Sequence, residues 1–360
     1  MEQIFDNDPD MLSSMIMFYA IALFFFIASS SLFGFGIKSK RIEWQVDFKL
    51  PWMIKLLFLA VLVSLLISKI LLYPEGVYSA YAFDSGAMSS RVWNVSMGLS
   101  ELGVVIFVFC LVTKNVRFAS LTFVVVSLNL LHGTRIFTLI LLLVIMFNVM
   151  FISKRFSKIK ILLLMSVFFC VIVISFLMVF ILRSNVAVSN LSLDLVISPL
   201  VYESLFNQIS FIRMLDLLNQ GVVPFAPHML YVDSAIFTLP SFSDADKASQ
   251  MYINNFGELS PLGGLSGYAS AIIYFSNYFF LWYFILGGIS SIFLRMIGNT
   301  NFKIFSRVVY IYFICDSLFR FNRDPWFIVI KMLSNNVVFL LFILILIAFK
   351  MRNEGRRVIQ

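Results

Sequence analysis

Residues 52–73 read WMIKLLFLAVLVSLLISKILLY, an apolar stretch in which Lys55 and Lys69 carry the only charges. A helix needs about 20 apolar residues to cross a bilayer, so this stretch is long enough to be a transmembrane helix. The pattern recurs along the chain, with apolar runs at 12–35, 52–73, 92–113, 118–133, 136–152, 161–182, 269–298, 308–321 and 326–349. The runs 118–133 and 136–152 are short and joined by a polar turn, which predicts a tight helical hairpin.

The composition also indicates a membrane protein. Hydrophobic residues make up 61% of the chain and charged residues 13%, whereas a soluble domain is about half apolar and about a quarter charged. An ordinary cytosolic enzyme is therefore excluded. The net charge of +8 does not indicate nucleic-acid binding, because that function needs a basic face on a soluble domain. Cys110, Cys170 and Cys315 each lie within an apolar run and are interpreted as packing residues, without a disulfide or a metal.

Lysine and arginine collect in alternate connections, which is the pattern of cytoplasmic loops in membrane proteins. The basic residues are Lys38, Lys40, Arg41 and Lys49 in the first connection, Lys114 and Arg117 in the third, Lys154, Arg155, Lys158 and Lys160 in the fifth, Arg295, Lys303 and Arg307 around the seventh, and Lys350, Arg352, Arg356 and Arg357 in the tail. The N-terminus and the other connections are acidic. The sequence therefore predicts an all-α integral membrane protein of about nine transmembrane helices, with its N-terminus outside and its C-terminus inside.

The domain organisation follows from the same pattern. We predict a single polytopic membrane domain over 1–360, with one large extramembrane segment, 183–268, on the outer side. Within that segment, 199–219 carries apolar residues close to a helical period, which predicts an amphipathic helix on the outer face of the membrane.

Arginines lie at the predicted outer ends of several spans, where the charge rule disfavours them. They are Arg135 in the hairpin turn, Arg183 after the sixth run, and Arg320 and Arg323 after the eighth. One interpretation is contact with lipid phosphates or pairing with a nearby acid such as Asp324. The other is an anion site, because guanidinium groups bind phosphate bidentately. Both interpretations stay open, and the origin of Arg135, Arg320 and Arg323 in separate runs favours the anion site.

Other ionisable residues fall inside the apolar runs. Lys69 is close to the predicted outer end of its run, and its amine is expected to reach the interface. Glu101 and Asp316 serve either in a proton relay or as paired structural carboxylates, and we favour pairing. The two histidines, His132 and His228, lie far apart. With no acid-x-acid pair of the kind that metal-dependent glycosyltransferases use, neither a metal nor another cofactor is expected.

Two stretches resemble the O-antigen polymerases of Gram-negative bacteria. They are 132–137, HGTRIF in the hairpin, and 263–277, GGLSGYASAIIYFSN. The large outer loop before a late span is also similar, so the resemblance covers the whole chain in topology and these stretches in residues. In that family the second stretch often carries a Glu where this chain has Ala271-Ile272-Ile273, and no acid role is assigned to those positions.

The resemblance implies a glycosyltransferase of the bacterial inner membrane that acts at the periplasmic face in lipopolysaccharide biosynthesis. It would transfer the growing glycan from one undecaprenyl diphosphate carrier to the non-reducing end of a new carrier-linked repeat unit. Its partners would be this lipid-linked donor and acceptor, membrane lipids and a chain-length-regulating membrane protein.

The site residues follow from that reaction. The leaving group is a lipid diphosphate, whose developing charge would be stabilised by Arg135, Arg183, Arg320 and Arg323. A base must accept the proton of the acceptor hydroxyl, and the candidates are Glu258, Asp233 and His228.

Two alternatives remain open at the level of the sequence. An O-antigen ligase shares the architecture but transfers the glycan to lipid A-core. A flippase or transporter of lipid-linked oligosaccharide is a different class, and such proteins usually have more spans and no large outer loop.

Overall fold

The computed structural model describes residues 9–34, 46–72, 91–132, 134–152, 267–299, 303–324 and 326–358, together with 166–167, 170–171, 173–174 and 220. Among these residues almost all are helical and none is in a strand, as the all-α prediction requires. The helices are α1 Pro9–Gly34, α2 Trp52–Leu72, α3 Arg91–Val112, α4 Val116–Ser127, α5 Ile136–Ile152, α6 Gly267–Phe275, α7 Phe280–Asn299, α8 Lys303–Tyr312, α9 Leu318–Arg323 and α10 Trp326–Val358. Short 3-10 segments at Leu128–His132 and Ser276–Tyr278 and a π turn at Phe313–Ser317 lie between them.

Four of the described helices are long and apolar enough to cross a membrane, namely Ile16–Gly34, Trp52–Leu72, Val92–Val112 and Phe280–Ile297. Val116–Leu130, Ile136–Val149 and Met332–Ala348 are shorter apolar helices. Large apolar side chains point away from the protein, including Phe24 on α1 and Val124 on α4, which are 65% and 59% exposed. These helices indicate an integral membrane protein.

The count of nine spans stays a prediction. Most of 161–182 and all of 183–266 except Gln220 lie outside the described residues, and so does the predicted amphipathic helix 199–219. The span predicted over 269–298 is shorter in the structure, where Phe280–Ile297 is the membrane-length helix, because the helix breaks between α6 and α7 at Ser276–Tyr278. Ser276 has a positive φ of 50°, which helical backbone does not allow. Hydropathy averages over the whole run and does not detect one residue of this kind.

The first of two compact units comprises Met1–Arg41, Tyr202–Thr300 and Ser317–Ser334. In its described part, α1 packs along α7 through small residues. The hydroxyl of Ser29 donates a hydrogen bond to the carbonyl oxygen of Phe284 at 2.5 Å, and a Cβ on Gly287 would collide with the backbone oxygen of Phe26. Close backbone approach through Ser and Gly is a usual way for helices to associate in lipid, where apolar burial provides no driving force.

The second unit comprises Ile42–Val201, Asn301–Asp316 and Asn335–Gln360. Helix α3 is its centre, since α2, α4, α5 and α8 all pack against it and residues 103–110 are buried on every side. At one end of the unit, the backbone N–H of Val46 donates to the carbonyl of Val112 at 2.8 Å, and Lys114 pairs with Asp47 at 2.8 Å. The start of α2 and the end of α3 therefore lie together. This end carries the first and third connections, which the charge pattern predicts to be cytoplasmic.

Candidate functional site

The structure describes only part of the predicted site. Arg135 and Arg320 have described side chains, whereas Arg183, His228, Asp233, Glu258 and the side chain of Arg323 lie outside the described part of the chain. Arg135 belongs to the second unit and Arg320 to the first. Their convergence on one diphosphate stays a prediction.

Arg320 and Asp324 form an ion pair at the end of α9. Their closest atoms, Nη1 and Oδ2, are 3.5 Å apart, and the side chains are 4% and 22% exposed. Asp324 has extended backbone, with φ −108° and ψ 147°, as expected of a residue before Pro325. Pairing with Asp324, one of the two interpretations of these arginines, is confirmed for Arg320, which lies one helical turn before the acid. Arg320 thus has a structural contact whatever else it binds.

The hairpin turn positions Arg135. After α4 the chain continues as the 3-10 segment Leu128–His132, and the backbone N–H of Thr134 then donates to the carbonyl of Asn129 at 3.0 Å. The carbonyl of Arg135 accepts the N–H of Leu139 at 3.1 Å, so Arg135 directly precedes α5 as its capping residue. The predicted hairpin of two short helices is confirmed, with α4 packed against α5. Arg135 therefore adds its charge to the positive end of a helix dipole.

Asn129, at the same turn, links three further helices through its side chain. Its Oδ1 accepts a hydrogen bond from Nζ of Lys69 on α2 at 2.5 Å. Its Nδ2 donates to the hydroxyl of Ser100 on α3 at 3.0 Å and to the carbonyl of Val126 at 2.7 Å. Ser100 in turn donates to the carbonyl of Ser96 at 2.7 Å. The residues Lys69, Ser100 and Asn129 are 5%, 0% and 0% exposed, so this network is held inside the unit.

The expected exposure of Lys69 is therefore wrong. Its amine does not reach the membrane interface but is buried against Asn129. The sequence places Lys69 on a helix near the predicted outer end, but it does not show which face of α2 meets α4. Only packing decides whether the side chain points to lipid or to protein.

A second polar network surrounds Glu101. The hydroxyl of Tyr312 on α8 donates to Oε2 of Glu101 at 3.3 Å, and Nδ2 of Asn336 on α10 donates to the Tyr312 oxygen at 2.5 Å. All three residues are buried. Glu101 thus has a hydrogen-bonding partner, as expected of a structural carboxylate. Asp316, the other acid in an apolar run, is 1% exposed and lies in the π turn.

The two networks meet at consecutive residues of α3, Ser100 and Glu101. Lys69 is one turn from the end of α2, Asn129 is at the end of the α4 segment, and Arg135 is at the start of α5. These positions lie at the end of the unit opposite the Lys114–Asp47 pair. The charge pattern predicts this end to lie on the outer side of the membrane. Chemically, the arrangement joins a buried amine to neutral amide and hydroxyl groups, and the start of α5 with Arg135 follows the same turn.

Sequence reasoning missed Asn129, Ser100, Tyr312 and Asn336 as partners. The sequence did indicate that these four residues contact protein, because polar side chains within apolar runs are costly in lipid and usually face other protein groups. What was absent was any indication of which residues pair. Among the described residues no group of three His, Cys, Asp or Glu is placed to hold a metal ion, and independence from metal stays a prediction.

In comparisons with known proteins, the chain matches no family model, no curated sequence and no solved structure.

Proposed function

We propose that this chain is an O-antigen polymerase of the bacterial inner membrane. It would extend O-antigen at the periplasmic face by moving the growing glycan from its undecaprenyl diphosphate carrier to the non-reducing end of a new carrier-linked repeat unit. The proposal rests on the resemblance of 132–137 and 263–277 to that family, on the large segment 183–268 and on the charge pattern.

One structural observation supports it most. The hairpin turn holds Arg135 at the start of α5, and the turn is hydrogen-bonded to Asn129, which also binds the buried Lys69. The turn thus brings the backbone of Arg135, the start of α5 and the Lys69 amine close to one residue, and an arginine, an amine and a helix N-terminus each favour a phosphate group.

The reaction needs that chemistry. The bond between the anomeric carbon and the diphosphate oxygen breaks, and negative charge develops on the departing phosphate. Cations held in place stabilise the charge without reorganisation. The acceptor hydroxyl forms the new glycosidic bond and loses its proton to a base, for which Glu258, Asp233 and His228 are the proposed candidates.

A transporter is the competing proposal, and the Glu101–Tyr312–Asn336 network favours it. A buried carboxylate near the middle of a membrane helix, hydrogen-bonded to a tyrosine, is a group through which protons pass in pumps and transporters. A ligase has no comparable observation in its favour, but it is tested by the same experiment.

The experiment is lipopolysaccharide electrophoresis of a strain that lacks the gene, with the wild-type gene restored as the control. A polymerase leaves a single repeat unit on the lipid A-core, because ligation still occurs. A ligase or a flippase leaves the core alone. A normal ladder in the deletion strain would exclude all three functions.

A further inference from the structure

The start of α2 lies beside the end of α3 in the second unit. The backbone N–H of Val46 donates to the carbonyl of Val112 at 2.8 Å, and Nδ2 of Asn115 donates to the carbonyl of Phe48 at 3.3 Å. The chain before α2 and the turn after α3 are therefore held together, and their side chains share one end of the unit.

Four basic side chains are exposed at this end, which we call the basic end. They are Lys49 before α2, Lys55 in α2, Lys114 after α3 and Arg117 in α4. Lys114 pairs with Asp47 at 2.8 Å, and the two side chains are 44% and 85% exposed. An ion pair this exposed is weak, so it does not prevent Lys114 from meeting another anion.

The acids of the neighbouring sequence cannot neutralise this charge. Residues 35–55 and 113–117, which include both connections, contain seven lysines and arginines but only two acids, Glu43 and Asp47. With both acids paired, five positive charges of these stretches remain. The excess therefore does not depend on which of the basic residues has an acidic partner within the connections.

Helix stability does not account for Lys55 and Arg117. Lys55 is the fourth residue of α2 and Arg117 is the second residue of α4, and neither helix has an acid in its first turn. The first turn of a helix carries partial positive charge, so a cation there is unfavourable. An anion from outside the protein offsets that cost.

The basic end borders a surface that faces lipid. Trp52, the first residue of α2, is 69% exposed, Leu56 one turn later is 53% exposed, and Val116 at the start of α4 is 65% exposed. From Trp52 onward, α2 is long and apolar enough to span a membrane. Tryptophan is enriched where hydrocarbon meets the headgroups, and a lysine beside it extends its amine to the same level. The exposed cations therefore lie at the depth of the lipid phosphates.

We propose that the basic end, formed by Lys49, Lys55, Lys114 and Arg117, binds the headgroups of anionic phospholipids. Each contact is a charge-assisted hydrogen bond from an ammonium or guanidinium group to a phosphate oxygen. The net negative charge of the lipid offsets the positive excess. A soluble phosphate would make no use of the apolar side chains exposed beside the cations, whereas the acyl chains of a lipid cover them.

The test is quenching of Trp52 fluorescence by lipids that carry bromine on their acyl chains. The full-length chain is placed in vesicles of phosphatidylcholine with an increasing fraction of brominated phosphatidylglycerol, which is anionic, or of brominated phosphatidylcholine, which has no net charge. Bromine quenches only the tryptophans that the lipid contacts. Subtracting the signal of Trp52→Phe separates Trp52 from the other four tryptophans.

Two variants separate charge from shape. Lys49→Gln/Lys55→Gln/Arg117→Gln removes three charges, and Lys49→Arg/Lys55→Arg/Arg117→Lys keeps all of them. The three residues are exposed, so neither variant disturbs the packing of the unit. Quenching by brominated phosphatidylcholine should be the same in all the proteins and reports that Trp52 still contacts lipid.

We expect the wild type to prefer phosphatidylglycerol over phosphatidylcholine by about fivefold or more, the factor that one basic residue near an anionic surface contributes. The preference should fall as salt is added. The charge-conserving variant should keep it, and the neutral variant should lose most of it. Equal quenching by the two lipids in the wild type, or an undiminished preference in the neutral variant, would overturn the inference. The excess charge would then serve only to orient the chain in the membrane.

Discussion

The hydroxyl of Tyr312 lies 3.3 Å from a carboxylate oxygen of Glu101, although the two residues are 211 positions apart in the chain. The bond joins α8 to the central helix α3 inside the second unit. Both side chains are buried, at 2% and 4% exposure. A buried acceptor that loses its donor keeps its desolvation penalty, so this bond should contribute measurably to stability.

We therefore expect Tyr312→Phe to lower the free energy of unfolding by about 1–3 kcal/mol. The measurement is denaturant unfolding in detergent micelles. Tyr278→Phe is the control, because Tyr278 is 63% exposed and should change little. Equal stability of both variants would show that the hydrogen bond between Tyr312 and Glu101 does not stabilise the protein.

Gly103 lets α3 and α4 approach each other. A Cβ there would clash with a methyl group of Val126, whereas a Cβ on Gly98 of the same helix has nothing within 4 Å. Gly103→Ala should lower the free energy of unfolding by about 1–3 kcal/mol, because it overpacks the contact between α3 and α4. Gly98→Ala should be neutral or stabilising by up to about 1 kcal/mol, because alanine favours helix.

The double variant Gly103→Ala/Val126→Ala tests whether the clash with Val126 causes the destabilisation. It removes the clashing methyl, so we expect the combined loss of stability to be smaller than the sum of the two single losses. If the two losses of stability simply add, the clash with Val126 is not the reason that Gly103→Ala destabilises the protein.

Arg135→Ala is expected to abolish O-antigen polymer while the protein still inserts at normal level. Arg135→Lys should restore little, since a point charge does not replace a bidentate guanidinium. The assay is the lipopolysaccharide ladder with an immunoblot of the membrane fraction. Arg117→Ala is the control, as Arg117 is exposed at the start of α4. Full-length polymer with lysine would contradict bidentate binding.

Arg320→Gln and Asp324→Asn address the ion pair at the end of α9. If the contact is chiefly structural, each should lower stability by about 1–3 kcal/mol, and the double variant should lose less than the sum. If Arg320 also binds the diphosphate, Arg320→Gln loses polymer at normal protein level while Asp324→Asn retains some. Arg323→Gln is tested beside them, and normal ladders for Arg320→Gln, Arg323→Gln and their double variant would exclude both arginines from the site.

The predicted orientation is tested with reporters. Alkaline phosphatase fused after Lys160 should be inactive, as expected in the cytoplasm, and an insertion near Asp246 should be active in the periplasm. A cytoplasmic Asp246 would contradict the assignment of the site to the outer face.

Much of the fold could be predicted from local features of the sequence. Runs of apolar residues predict where helices lie, because each helix satisfies its own backbone hydrogen bonds in lipid. The hairpin was predicted from its polar turn, and the extended backbone of Asp324 is explained by the ring of Pro325, which acts only on its neighbour. Arg135 was placed in that turn by the same reasoning.

Tertiary structure alone decided which polar residues meet. Lys69 and Asn129 are 60 positions apart, and nothing near either one in the sequence indicates the other. Their contact depends on how α2 and α4 are rotated about their axes, which is set by the packing of all the helices around α3. The break at Ser276 also depends on backbone geometry that hydropathy does not reveal. The sequence determines where the helices lie, and the packing of one helix face against another decides which charges are buried and what they bind.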